Sequence, residues 1–181
     1  ASAVSGSTQT VKAGTFAVSV SAQPTARTVI AGATKFEFAR YIIDVTQSGE
    51  DIRATTLPLY YDTTGTRTDL TNCQLYDGTA TGATSLTSGS NVLNPGTDDT
   101  ASSTTFTFDG TGLVLPKGTS KTLSLRCDIK TGVTALYWWG IDGGATYTGA
   151  SGVTSGQTIS ETFTDTNGQH MSAASSGAFT V

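Results

Sequence analysis

Residues 35–46 read KFEFARYIIDVT. Phe36 and Phe38 share one parity, whereas Tyr41, Ile43 and Val45 share the other. Successive side chains of an extended strand point to opposite faces. An apolar set that changes parity within one run therefore marks a bulge, or a strand crossing between sheets. A helix would bring its apolar residues round with a period of 3.6, and no run of ten or more residues shows that pattern. The stretch predicts a long, buried β-strand with an irregularity near its start.

Working outward, short runs of the same kind fill the chain. GTFAVSVS (14–21) puts Phe16, Val18 and Val20 on one face, and DIRATTLPLYY (51–61) is a strand that Pro58 restricts to an edge or a bulge. LTNCQLYDG (70–78), TTFTF (104–108), GLVLPKG (112–118), KTLSLRCDIK (121–130), VTALYWWGIDGG (133–144), QTISETFTD (157–165) and GAFTV (177–181) complete the set. Gly, Pro, Asp and Asn punctuate them. Residues 78–103 lack periodicity and read as a long loop with one short strand at NVL (91–93). Residues 166–177, TNGQHMSAASSG, read as a polar loop. Many short strands and no helix predict an all-β fold, an immunoglobulin-like, Greek-key β-sandwich with extended terminal strands. The expected organisation is an N-terminal extension and strand over 1–26, a sandwich over 27–176 and a terminal strand over 177–181.

Composition narrows the setting. Only 13% of the 181 residues are charged, yet there are 7 Phe, 6 Tyr and 2 Trp, which argues against a disordered chain. Threonine is β-branched and polar without charge, so it suits the outer face of a sheet. The net charge of −4 and the lack of a Lys/Arg cluster argue against nucleic acid as a partner. No apolar run reaches the length of a membrane span. The expectation is an extracellular or cell-surface protein, with ASAVSG at the start read as a mature N-terminus or as a linker after an upstream domain.

The two cysteines fit that setting. Cys127 shares parity with Leu123, Leu125 and Ile129, and Cys73 with Leu75, so both face the core. They either pack as small hydrophobes or are bridged, and the extracellular composition favours a Cys73–Cys127 disulfide. Closing a loop of about fifty residues stabilises a fold by on the order of 4 kcal/mol in chain-entropy terms.

No catalytic constellation is legible, and the protein is expected not to be an enzyme. His170 is the single histidine, so any Ser-His-Asp arrangement would have to form around it; an exposed loop histidine is the favoured reading. Glu161 shares parity with Ile159 and Phe163. It is either a buried acid poised for proton transfer or, the favoured reading, an inward-pointing charge that discourages wrong edge pairing. Asp98-Asp99, Asp109-Gly110 and residues 165–168 (DTNG) offer oxygens to a cation, but none has the spacing of a calcium loop, and the Gly-containing pairs read as turns. No cofactor and no metal is expected. In LYWW (136–139), alternation sends Leu136 and Trp138 one way and Tyr137 and Trp139 the other. One set fills the core and the other needs a cover, and Tyr137 and Trp139 are the expected anchors of a subunit contact, ahead of sugar stacking.

One internal echo bears on partners. Gly14, Phe16 and Val18 form the frame Gly-x-Phe-x-Val, which recurs as Gly177, Phe179 and Val181. A terminal strand can complete a neighbour's sheet through main-chain bonds, and a head-to-tail contact of that kind propagates. The expected interface is therefore Gly14, Phe16, Val18 and Val20 with Gly177, Phe179 and Val181, and the expected partner is a further copy of the chain.

TARTVIAGATKFEFARYIIDV (25–45), followed by GEDIRATTLPL (49–59), resembles β-sandwich modules of uncharacterised secreted surface proteins of candidate-phylum bacteria. The matching residues are Val29 to Gly32, Phe36 to Val45 and Glu50 to Ile52, and LPKGTSKTLSLRCDI (115–129) is similar to the closing segment of such modules. The resemblance implies architecture and location, and carries no active site. The function expected is a structural subunit of an extracellular filament or surface fibre that assembles by terminal strand donation. The alternative is a carbohydrate- or surface-binding module of a longer tandem protein, with glycans as partners.

Overall fold

The computed structural model describes residues 12–96, 103–144 and 146–175. In chain order its strands are β1 (Ala17–Val20), β2 (Thr28–Ile30), β3 (Phe36–Asp44), β4 (Ile52–Ala54), β5 (Thr56–Thr63) and β6 (Leu70–Asp77). They continue with β7 (Ser103–Thr107), β8 (Leu113–Leu115), β9 (Ser120–Ile129) and β10 (Leu136–Gly140). The last are β11 (Thr146–Gly152), β12 (Thr158–Thr162) and β13 (Met171–Ala174). The first sheet has the order β1-β3-β9-β6, the second β2-β13-β10-β5-β7 and the third β12-β11-β4-β8. Ladder neighbours are mostly far apart in sequence, as in Greek-key sandwiches.

Only Thr55 separates β4 in the third sheet from β5 in the second, so these two sheets continue one another and together face the first. The first sheet meets the second where Phe38 packs edge-on to Tyr137 at 6.2 Å and the Tyr41 hydroxyl donates to the Gly140 carbonyl at 3.3 Å. It meets the third where Phe16 stacks on Tyr147 at 5.3 Å. The protein is an all-β sandwich whose core runs unbroken between these layers.

The parity switch in residues 36–45 is a bulge. Glu37 pairs with Arg126 and Ala39 with Leu125, so Phe38 is the extra residue, and Phe38 and Ala39 are both buried. Beyond it Tyr41, Ile43 and Val45 are fully buried. Pro58 sits at a local edge. The Phe108 N–H donates to the Thr55 carbonyl, which fixes the phase: odd residues of β5 bond to β7, and the Pro58 nitrogen faces the opposite side. There the β10 ladder ends at the Gly140–Tyr60 pair, so no donor is missed.

Cys73 and Cys127 form the disulfide, between adjacent strands of the first sheet. In the β6–β9 ladder Thr71 pairs with Asp128 and Gln74 with Arg126, so Asn72 and Cys73 together oppose Cys127. Asn72 takes a left-handed conformation (φ 51°), which its short polar side chain tolerates. The bulge turns the Cys73 backbone outward, where it exchanges two hydrogen bonds with Leu93. The long loop after β6 is thereby strapped along that strand's free side. Leu86 donates to the Leu75 carbonyl, Asp77 to that of Thr84, and Leu75 N–H to the buried Thr87 hydroxyl.

Two segments depart from the sequence reading. Residues 166–177 are not wholly a loop, because Met171–Ala174 form β13, with Met171 and Ala173 buried, between β10 and the parallel strand β2. The Thr- and Gly-rich Thr146–Gly152, with one aromatic residue, forms β11. Residues 16–20 are also part of the sandwich rather than an appendage, since β1 pairs with β3 of its own chain from Ala17–Asp44 to Val20–Tyr41.

Glu50 ties the third sheet together. Its carboxylate accepts the Ser155 hydroxyl at 2.6 Å and the Ser155 and Thr154 amides at 2.9 Å, and these bonds hold its pKa below the usual range. A carboxylate stabilised in this way contributes above its unfolded pKa, and the contribution is lost as pH falls through the lower folded value. Thermal midpoints measured from pH 7 to pH 3 are expected to fall in acid. Glu50→Gln should start lower at neutral pH and respond less to acidification.

Candidate functional site

Two regions bear on function. The first is the seam that β1 closes between the first and third sheets. Gly14 lies so near Ile159 and Ile52 that a Cβ there would meet their Cδ1 atoms at 3.1 and 3.2 Å. Phe16 is 1% exposed and packs on Tyr147 and, at 6.4 Å, on Phe163. Val18 and Val20 rest half-buried against the same core. The Gly-x-Phe-x-Val positions of residues 14–18 are thus the core-facing ones, and each is set by a steric demand: none, a ring, then a branched side chain. Gly177, Phe179 and Val181 lie outside the described residues.

The second region is the outer face of the second sheet. Tyr137 and Trp139 are both 0% exposed, which corrects their expected role as interface anchors. Trp139 stacks on its cross-strand partner Tyr61 at 4.4 Å, and the Tyr137 hydroxyl donates to Asp69 at 3.0 Å. Burial, reinforced by that bond, pushes the Tyr137 phenol pKa up. The outward pair is Leu136, 38% exposed, and the half-buried Trp138. Trp138 carries His170 stacked on its ring at 4.6 Å and 17°. Its cross-strand neighbour is Asp62, which accepts the Tyr60 hydroxyl at 3.1 Å.

Below that row, β10 ends at Gly140 and β11 begins at Thr146. The gap is an open cleft of about 430 Å³ lined by Pro58, Ser103, Thr105, Asp142, Thr146 and Thr148, with Tyr147 and Phe163 at its base. The Tyr147 hydroxyl donates to the Thr56 carbonyl at 2.6 Å, and burial raises its pKa. Asp142 has no hydrogen-bond partner among the described residues.

The remaining candidate residues are dispersed. Glu161 lies on the edge strand β12, half-buried on the face of Ile159 and Phe163. Asp109 organises a turn, accepting Ser88 and Asn91. Burial works against its charge, but those bonds outweigh it and its pKa is lowered. Asp165 accepts the Gly143 amide. Asp98 and Asp99 lie outside the described residues. Among the described residues no three His, Cys, Asp or Glu side chains converge as a metal set, and no helix is long and apolar enough to cross a membrane.

No family model matches the chain, and no curated protein matches it. Among solved structures, the chain is similar to the seventh ScaB type I cohesin from Pseudobacteroides cellulosolvens, at 15% identity and a TM-score of 0.43, over 92% of this chain and 96% of that one.

Proposed function

We propose that the chain is a non-catalytic structural module of an extracellular assembly, joined to further copies by exchange of an edge strand. The observation that supports this best is the seat of β1. It is a four-residue edge strand with one ladder partner among the described residues, yet Phe16, immediately before it, puts an almost fully buried ring into the core. The Gly-x-Phe-x-Val frame that satisfies this seat occurs a second time in the sequence, at residues 177–181. A segment matching these steric demands can occupy the same seat on another copy, main-chain bonds supplying affinity and alternate side chains the specificity. The buried disulfide suits an oxidising compartment. The resemblance to surface-protein β-sandwich modules points the same way.

Negative-stain electron microscopy of the intact chain, beside a chain lacking residues 177–181 and a Phe179→Asp variant, tests the reading. Filaments or linear oligomers are expected from the intact chain and from neither variant. Monomers in all three, or filaments in all three, would remove the C-terminal frame as the connector.

A further inference from the structure

The outer face of the second sheet joins the Trp138 row to the cleft beside Pro58, and we infer that this continuous surface binds a neutral oligosaccharide. This inference stands apart from strand exchange. Alternation fixes which side chains face outward: with Leu57, Leu59, Tyr61, Phe106 and Trp139 buried, Pro58, Tyr60, Asp62, Thr105 and Trp138 project from the opposite side. The ladders place them in rows. Trp138 stands opposite Asp62 and Gly140 opposite Tyr60, while Tyr60 stands opposite Ser103 and Pro58 opposite Thr105. Two residues of strand advance about 7 Å. The Trp138 row therefore lies roughly 13 Å from the Pro58 row, a span for several linked rings rather than one.

The chemistry of the surface selects the ligand. At one end is an indole made rigid by the stacked His170, and aromatic rings of this kind offer flat apolar area with little entropy to lose. At the other end is a cleft whose volume of about 430 Å³ lies within the usual range for small-molecule sites. Its rim of Ser103, Thr105, Thr146 and Thr148 can both donate and accept hydrogen bonds, and Asp142 is a half-buried acceptor with no partner of its own among the described residues. No Lys or Arg lines it, so an anionic ligand would find no counter-charge. A single carboxylate among hydroxyls is too few hard ligands for calcium. Alternating apolar ring faces and hydroxyl edges are what a neutral sugar chain presents to both ends. Between the two ends the surface runs over the half-buried Tyr60 and the exposed Ser103, while Gly140 is buried, the Thr166 backbone lying where a side chain would be.

The test is a printed array of neutral and charged oligosaccharides probed with the intact chain, followed by titration calorimetry on the retained neutral glycans. Thr105→Trp fills the cleft from an exposed position, Asp142→Ala removes the free acceptor and Trp138→Ala removes the platform. Each is expected to weaken binding at least tenfold, with Thr105→Trp and Asp142→Ala leaving the thermal midpoint unchanged. Retention of no neutral glycan, retention of charged glycans alone, or binding unaltered by both Thr105→Trp and Asp142→Ala would overturn the assignment. Because the readout is binding by the isolated chain, loss of filaments has no bearing on it.

Discussion

Phe16→Ala is expected to destabilise the protein by about 3–5 kcal/mol, the usual cost of truncating a buried aromatic residue. The ring lies where the first and third sheets meet, against Tyr147 and Phe163, and nothing else described fills that space. Collapse around the cavity is opposed by Gly14, already close to Ile159 and Ile52. Urea unfolding gives the magnitude. Hydrogen exchange should place the loss first in β1 and β12, because among the described residues β1 has one ladder partner and β12 borders the third sheet. A chain starting at residue 21 should show the same weakness, and a synthetic peptide of residues 12–20 added in trans should reverse it. Failure of the peptide to restore the unfolding midpoint would mean that the seat cannot be filled from outside, and strand exchange would lose its basis.

Replacing both Cys73 and Cys127 with alanine is expected to cost about 2–5 kcal/mol. The bridge spans a sequence separation of 54 and encloses β7 and β8, so its loss lengthens the free denatured chain considerably. The denaturant dependence should steepen as well, since a denatured state without the cross-link exposes more surface. Both cysteines are fully buried, so reductant should act on the native protein only through opening. A variant that unfolds at the wild-type urea midpoint would show that packing alone sets the geometry of β6 and its strap.

Much of the fold is legible in the residues because the side-chain period of a strand is two, and the core enforces it. Phe38, Tyr41, Ile43 and Val45 and both cysteines follow from that rule. Alternation alone could not assign LYWW. It separates Tyr137 and Trp139 from Leu136 and Trp138 but does not say which pair meets the opposing layer, and Phe38 and Tyr61, distant in sequence, decide it. β11 and β13 are hard to read because each carries one large buried residue, Tyr147 and Met171, among Gly, Ala, Ser and Thr, too few to set a period; Gly149 is required where a Cβ would meet the Thr56 hydroxyl. The outer surface was illegible for a related reason. Tyr60, Asp62 and His170 come from two separate segments, and only the order of strands brings them beside Trp138.

The loop strapped along β6 gives the sandwich a built-in polarity. Bonds from Leu86, Asp77 and Leu93 occupy the backbone groups that an incoming strand would use, so that border of the first sheet is sealed. Among the described residues the opposite border is β1, with no strand beyond it in the sheet. A donated strand therefore has one border of this sheet to join, and in a row of such units every junction would be alike, each unit taking its neighbour's strand on the side away from the strap.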